Sequence, residues 1–306
     1  MHFFDAVVGN PPYQTATKAR SASNPQAMPL YNIFAKKAFS LAESVTMIIP
    51  SRWMTTDGWG LKEFRMHMAK GHLPQMHDFE NSEDCFSGIK INGGVCYFLW
   101  KRNYFGDCFY AEHHSDGKTV SAVRPLIEGG MDIAVRRNEA LSVLKRIADF
   151  NESSVSSIVH TKFCFNLTAA KLQNASCENG DVEVYGWLNG KRSVWRIQKN
   201  FIARESSLVD QWKVYIPKAS GFGRTDSDRI VPFIGHPGTA STDTYSVAGP
   251  FECKEECESF ISYISTKTVH YLVGIRKNTQ DCLRGVFSLV PMQDFTREWK
   301  ESDLYK

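Results

Sequence analysis

Apolar runs alternate with polar segments up to about residue 100, which predicts alternating strands and helices. Four runs are short and rich in β-branched or aromatic residues, as in buried strands, and they cover 3–9, 45–50, 76–79 and 94–100. Two helices are expected between them. One begins at Pro29, with Ile33, Phe34, Ala38 and Leu41 on one face, and the other covers 61–70. This order predicts half of an open α/β sheet with an antiparallel edge.

A different pattern follows and predicts a second domain. A helical stripe begins after the expected N-cap Asn138, and β-type runs occur at 182–187, 193–197, 212–216 and 230–234. A last helix is expected over 254–269, with Phe260, Ile261 and Ile264 facing inward. We therefore expect residues 1–150 to form an α/β domain and residues 151–306 to form a mixed α+β domain.

The composition narrows the functional classes. The chain has 306 residues, of which 42% are hydrophobic, and this is enough for two packed cores. Its net charge is only +3, so a surface that binds nucleic acid must be local. The eight cysteines are scattered without zinc-ligand spacing, which favours free thiols in a reducing cytoplasm over a metal site. No apolar stretch has the length of a membrane span, so we expect a cytoplasmic protein without a membrane segment.

The strongest chemical signal follows the first strand, where Asn10, Pro11, Pro12 and Tyr13 come directly after Gly9. The amino nitrogen of adenine is a poor nucleophile, because its lone pair is delocalised into the ring. Acceptors for both amino hydrogens would localise that lone pair, and the Asn10 side chain and the Pro11 backbone each offer a carbonyl oxygen. Tyr13 offers a flat ring on which an extruded base can stack. The alternative is that the two prolines only stiffen a turn.

The strand and this motif together resemble the amino-methyltransferases, whose fourth motif is a strand followed by Asn/Asp-Pro-Pro-Tyr/Phe. Residues 48–53 resemble the sixth motif of that family, and 85–90 with 95–99 resemble the seventh and eighth. Residues 212–218 and 290–295 resemble the target-recognition part of Type IIG-like restriction-modification adenine methylases. The resemblance extends over nearly the whole chain, more closely at the opening motif than in the tail.

The resemblance implies a partial S-adenosylmethionine-methyltransferase-like (Rossmann-like) sheet, followed by a target-recognition domain. It implies a site-specific DNA adenine-N6 methyltransferase component of a restriction-modification system. Such an enzyme flips the target adenine out of double-stranded DNA and methylates its amino group with S-adenosylmethionine. An aromatic residue before a late strand then packs on the other face of the base, which makes Phe86 the candidate beside Tyr13. Phe86 is otherwise a core residue, and Lys90 either contacts a phosphate or is simply exposed.

The chain departs from that family at the cofactor site. The family places a Gly-rich loop and an acidic residue upstream of its Asn-Pro-Pro-Tyr motif, and only nine residues precede Asn10 here. The glycines at 221–223 and 235–238 do not open an apolar helix, so no residue is assigned to the cofactor. Three explanations stay open: the chain is a fragment, a second polypeptide supplies the missing half, or the protein binds DNA without methylating it.

DNA contacts are expected where positive charge and an aromatic residue interleave, at Lys191, Arg192 and Arg196. Further candidates are Arg224, Arg229, Arg276 and Lys277. Two other functions are open: a non-catalytic DNA-binding specificity module, and a protein-glutamine N5 methyltransferase, which also uses Asn-Pro-Pro-Tyr. The long chain after Trp100 argues against the second, because such enzymes end soon after the eighth motif.

Overall fold

A computed structural model describes residues 4–15, 27–128, 131–150, 152–161, 163–175, 179–219, 230–277 and 281–300. The chain divides into two compact units, Met1–Lys145 and Arg146–Lys306. The expected boundary at residue 150 falls close to this division. The glycines at 221–223, as well as Arg224 and Arg229, lie outside the described residues.

The first unit is built on a six-stranded mixed sheet. Its strands are β1 (Phe4–Gly9), β2 (Ala42–Pro50), β3 (Gln75–Phe79), β4 (Val95–Lys101), β5 (Cys108–His113) and β6 (Thr119–Arg124). Their order across the sheet is β1-β2-β4-β3-β5-β6. The β1/β2 and β3/β5 pairs are parallel, whereas β2/β4, β4/β3 and β5/β6 are antiparallel. The mixed α/β class is confirmed, and antiparallel pairing extends into the middle of the sheet rather than only to its edge.

Helices α1 (Tyr31–Leu41) and α2 (Leu61–Met68) contribute to the core of this unit. Helix α3 (Ala140–Phe150) includes the last residues of the unit, which ends at Lys145. The sequence placed Ile33, Phe34 and Ala38 on one apolar face, but only Ala38 is buried, since Ile33 and Phe34 are 59% and 47% exposed. Small side chains explain the difference, because Ala35 and Ala38 let α1 pack closely with Phe39 in the core. The buried face is therefore the one with the alanines, not the one with the bulkiest residues.

Two expected helix starts also differ from the structure. Pro29 is not helical, because it forms an isolated antiparallel bridge with Gln14 ahead of α1. Asn138 is not the residue directly before α3, which begins at Ala140, and its carboxamide oxygen accepts a hydrogen bond from Arg124 Nε at 2.8 Å. Each residue is instead held by a partner distant in sequence, which local pattern cannot reveal.

A buried ion pair ties the strand ends of the first unit together. Arg136 Nε and Nη2 donate to the two carboxylate oxygens of Asp78 at 2.7 and 2.8 Å. Asp78 also accepts from the Ser51 hydroxyl at 2.7 Å and from the Tyr110 hydroxyl at 3.0 Å. Arg136 Nη1 donates to the Gly93 carbonyl at 2.7 Å, so the network also fixes the loop before β4.

The second unit combines two small sheets with three helices. Its elements are α4 (Ala169–Ala175), β7 (Val182–Leu188), β8 (Lys191–Ile197), β9 (Trp212–Pro217), β10 (Phe233–Gly235), β11 (Thr239–Ser241), β12 (Tyr245–Phe251), α5 (Lys254–Ile264) and α6 (Lys267–Arg276). One sheet has the order β10-β9-β12 and the other β11-β7-β8. The sequence predicted β7, β8 and β9 but neither β11 nor β12. The last predicted helix is in fact two helices, because the chain leaves the helical path after α5. Thr266 is the N-cap of α6, and its side chain accepts a hydrogen bond from the Val269 amide.

The described residues contain no membrane-spanning helix, no cluster of metal ligands and no disulfide. Among the described residues, no helix combines the length and apolar character that a membrane crossing requires. Within the same ranges, no three His, Cys, Asp or Glu side chains are grouped so that they could bind a metal ion. Every described cysteine is a free thiol.

Candidate functional site

The Asn10–Tyr13 loop lies at the carboxyl end of β1, at one edge of the first-unit sheet. β1 runs parallel to β2, with Gly9 opposite Met47, so the loop leaves the sheet where ligands bind in parallel α/β arrangements. Asn10 and Pro12 are exposed, whereas Pro11 is buried. The loop is thus anchored by one proline and presents the amide side chain to solvent.

The segment before α1 holds Tyr13 in place. The Tyr13 carbonyl accepts from the Leu30 amide at 3.1 Å, and the Thr15 amide donates to the Met28 carbonyl at 2.9 Å. Burial raises the pKa of the half-buried Tyr13, and the nearby Asn10 side chain partly offsets this effect. The buried hydroxyl makes no hydrogen bond of good geometry with a described residue, so Asn10 lies near it without fully satisfying it.

Tyr13 borders a cavity of about 320 Å³. This volume is at the small end of the range for small-molecule sites, which is roughly 300–1,000 Å³. The cavity is lined by Tyr13, Gln14, Ala27, Pro29, Tyr31, Pro50, Arg52, Trp59, Leu61, Lys90, Ile91 and Asn92. A second, shallow hollow is formed by Asn10, Pro11, Pro12, Tyr13 and Gln14. Tyr13 and Gln14 line both, so the hollow at Asn10 adjoins the larger cavity at these two residues.

The structure brings some of the predicted site residues together. Lys90 lines the same cavity as Tyr13, and its ammonium is 3.9 Å from Glu83 Oε2. Phe86 is half-buried and is not among the described residues that line the cavity. Its neighbour Cys85 contributes, after burial, to the raised pKa of Tyr13. The role of Phe86 in base stacking stays a prediction.

Two aromatic cavity residues, Tyr31 and Trp59, were missed by sequence reasoning. Trp59 stands between Gly58 and Gly60 and has a positive φ of 54°, a backbone conformation that is costly for a bulky residue. Its carbonyl accepts from the Asn32 side chain at 3.3 Å, which fixes the turn. An aromatic residue between two glycines was the available signal, because such a pattern places a ring in an exposed turn.

In the second unit, the expected DNA strip lies on β8. Alternation places Arg192 and Arg196 on the solvent face of β8, while Trp195 on the other face is buried. Arg196 pairs with Glu183 at 2.6 Å, and the Arg192 guanidinium lies 4.3 Å from the Phe233 ring centroid. Lys191 is exposed as well.

The last two candidates for DNA contact lie at the carboxyl end of α6. Lys277 is only 4% exposed, so the expectation that it contacts DNA was wrong: a buried ammonium cannot reach a phosphate. Arg276 is the last residue of α6 and is half-buried.

The described residues do not fit a cradle for S-adenosylmethionine. A Cβ on Gly94 would lie 2.0 Å from the Phe79 carbonyl oxygen, so this glycine permits close packing of backbone on backbone. Gly235 packs against the Tyr215 ring in the same way. Neither glycine opens a helix, and the loop after β1 contains two prolines that lack amide donors.

Comparison with known proteins finds a family resemblance within the first unit. Residues 2–86 match the sequence model of the Eco57I restriction-modification methylase family. A protein of Mycoplasma pneumoniae described as an uncharacterized adenine-specific methylase is 36% identical over 105 residues, which are 34% of this chain and 25% of that protein. The chain thus spans about a quarter of the length of this curated relative.

Two solved structures of restriction-modification enzymes are similar to larger parts of the chain. The type IIL enzyme MmeI in complex with DNA has a TM-score of 0.49 and 11% identity, covering 90% of this chain and 44% of that one. The type IIG restriction endonuclease BpuSI has a TM-score of 0.36 and 11% identity, covering 85% of this chain and 42% of that one.

Proposed function

We propose, from the match of residues 2–86 to the Eco57I restriction-modification methylase family, that this chain is the base-binding and DNA-recognition part of a site-specific DNA adenine-N6 methyltransferase. The observation that carries the proposal is the Asn10–Tyr13 loop. It follows a parallel strand, exposes an amide and places a phenol ring against a cavity of about 320 Å³. The description of the relative as an adenine-specific methylase supports the same target.

The roles of the loop residues follow from their chemistry. The Asn10 carbonyl and the Pro11 backbone carbonyl accept the two hydrogens of the adenine amino group, which localises the nitrogen lone pair. Tyr13 stacks on the extruded base, and Pro12 keeps the loop rigid. No side chain has to remove a proton before attack, because the neutral nitrogen is the nucleophile. Catalysis by these residues is orientation and hydrogen bonding.

Methylases of this family take the methyl group from S-adenosylmethionine, and we propose that a second polypeptide supplies the residues that hold it. The free edge of β1 is the place for such a partner, because no described strand pairs with it. Val8 on this strand is 79% exposed, and Ile33 and Phe34 are exposed on α1, which packs against β1. An uncovered edge next to exposed apolar side chains favours association over a free surface.

Double-stranded DNA is the other proposed partner, bound through the second unit in the cytoplasm. The solvent face of β8 supports this assignment, since Arg192 and Arg196 project from it and Trp187 is exposed on the neighbouring strand. One observation favours a second function, a DNA-binding specificity module without methylation. The described residues form no cradle for the cofactor, so base recognition without transfer is compatible with this chain.

Methyl transfer to DNA is the direct test. Unmethylated genomic DNA is incubated with S-adenosylmethionine, the chain, and the products of neighbouring genes, and N6-methyladenine is measured by mass spectrometry. We expect N6-methyladenine only when the chain and a partner are both present, because each carries part of the site. A glutamine-containing peptide from a release factor serves as the competing substrate.

The outcomes separate the alternatives. Methylglutamine in the peptide without N6-methyladenine in the DNA would replace the proposal by a protein methyltransferase. If the chain binds DNA but no methyl group is transferred in the presence of every neighbouring gene product, the result would support the DNA-binding specificity module instead.

Neutralising the β8 strip is expected to flatten the salt dependence of DNA binding. Each lost phosphate contact reduces the slope of log K against log salt by about 0.9. Replacing Lys191, Arg192 and Arg196 with glutamine should therefore reduce the slope by about 2, since the Glu183 pair already engages Arg196. The measurement is fluorescence anisotropy between low and high salt, with Lys254→Gln on α5 as the control. An unchanged slope would remove this strip from the interface.

A further inference from the structure

The charged side chains that line the Tyr13 cavity are all positive. Among the described residues, its lining contains two cations, Arg52 and Lys90, and no carboxylate. Arg52 is the second residue after β2, in the short turn Ser51–Met54, and is half-buried. Its Nε is buried without a hydrogen-bond partner, and its guanidinium forms no ion pair with a described residue. The Nε of Arg52 therefore loses hydration without gaining a hydrogen-bond partner among the described residues.

A half-buried guanidinium without an ion-pair partner among the described residues is suited to bind an anion. Elsewhere in the same unit, the buried guanidinium of Arg136 is satisfied by the two Asp78 oxygens and a carbonyl. Arg52 has no such set, and its charge acts on Tyr31, where it lowers a pKa that burial raises strongly. Planar guanidinium groups bind carboxylate and phosphate oxygens through pairs of N–H donors, and this gain would offset the lost hydration.

The aromatic residues identify which anion fits. Tyr13, Tyr31 and Trp59 line the cavity together with the two cations. Flat rings beside an arginine and a lysine suit a ligand with both a base and a phosphate, because nucleotides stack on aromatic rings while cations hold the backbone. The neutral amide of a glutamine side chain would give the Arg52 guanidinium no anionic partner, and Lys90 would keep only its exposed pair with Glu83. The lining therefore favours a nucleotide over a peptide.

We propose that Arg52 and Lys90 hold the phosphodiester next to the extruded adenine, so that this cavity binds the target as a nucleotide rather than as a free base. This assignment rests on the proposed function, because it places the base on Tyr13. Arg52 supplies the fixed contact, since its stem is anchored at the end of β2. Lys90 is 81% exposed on its side chain and supplies a mobile contact from the loop before β4.

The test uses short single strands whose charge and base can be changed independently. The probes are the trinucleotide TAT with normal phosphodiesters, TAT with neutral methylphosphonate linkages, and TTT with normal phosphodiesters. Binding is followed by the tryptophan fluorescence of the intact chain, because Trp59 lines the cavity. The variants are Arg52→Met with Lys90→Gln, Arg52→Lys, and Lys37→Gln on the exposed face of α1 as the matched control.

The wild-type chain is expected to bind charged TAT about tenfold more tightly than neutral TAT, which is the effect of about one charge-assisted hydrogen bond. In the double variant the two probes should bind equally, while the preference for TAT over TTT remains. Arg52→Lys should recover part of the tenfold ratio, and Lys37→Gln should keep all of it. Circular dichroism spectra and melting curves confirm that each variant is folded.

Each failure has a distinct meaning. If the double variant keeps the full ratio between charged and neutral TAT, the phosphate contact is not made by these residues. If it loses the preference for adenine as well, Arg52 shapes the cavity and does not read a phosphate, which also overturns the inference. If the wild-type chain binds TAT and TTT equally, and Tyr13→Ala changes nothing, the proposed function itself fails.

Discussion

Replacing Asp78 with alanine is expected to lower the free energy of unfolding of the first unit by about 3–5 kcal/mol. The carboxylate is buried and accepts from Arg136, Ser51 and Tyr110. Burial alone would lower the pKa of Arg136, but the Asp78 charge outweighs it and the net pKa is raised. Removal of the carboxylate therefore leaves a charged guanidinium in the core. Hydrogen exchange of the β3 and β4 amides measures the loss within this unit.

Two controls separate the buried charge from the contact itself. The double variant Asp78→Leu with Arg136→Met removes both charges, and it should recover most of the lost stability because no unpaired ion remains. Asp116→Ala breaks an exposed pair with Lys118 and should not change the exchange of these amides measurably. If Asp78→Ala and Asp116→Ala behave alike, the network does not stabilise the unit.

The strands β1 to β4 could be predicted from sequence because each coincides with a short strand-like run, although the prediction that β1 is buried was wrong, since its residues are exposed or half-buried. β6 was not predicted. The apolar runs of β1, β2 and β4 match their observed bounds to within a few residues. The order of the strands could not be predicted in the same way. It places β4 between β2 and β3, and it depends on side chains such as Asp78 and Arg136, which are 58 positions apart. β5 was missed because its buried members include the charged Glu112, which interrupts the apolar pattern.

The loop residues Asn10 and Tyr13 of the candidate site could be predicted from sequence, but the other residues that line the cavity could not. The motif located Asn10 and Tyr13, because a strand followed by an amide, two prolines and a ring is rare. The far wall depends on the return of the chain from residue 27 to Tyr31, which the backbone bonds between Tyr13 and Leu30 and between Thr15 and Met28 enforce. Such bonds have no signature in side-chain pattern.

Replacing Asn10 with alanine is expected to reduce N6-methyladenine formation by roughly 10²–10³-fold in the assay with the partner polypeptide, the loss typical of one removed transition-state hydrogen bond. The exposed carboxamide provides an acceptor for one amino hydrogen of the base, and alanine provides none. DNA binding through the second unit should be unchanged, because Asn10 belongs to the first. Initial rates at saturating DNA, together with anisotropy, separate these two effects.

The matched variants distinguish the acceptor from the shape of the loop. Asn10→Asp keeps a side-chain oxygen of the same reach and should retain much more activity than Asn10→Ala, although both remove the amide. Tyr13→Phe keeps the stacking ring and should lose little, whereas Tyr13→Ala should lose much more. Asn103→Ala, an exposed amide that contacts Glu43 elsewhere in the unit, serves as the control. Equal rates for Asn10→Ala and Asn103→Ala would mean that the loop orients no amino group, because an acceptor whose removal has no effect cannot be activating the nucleophile.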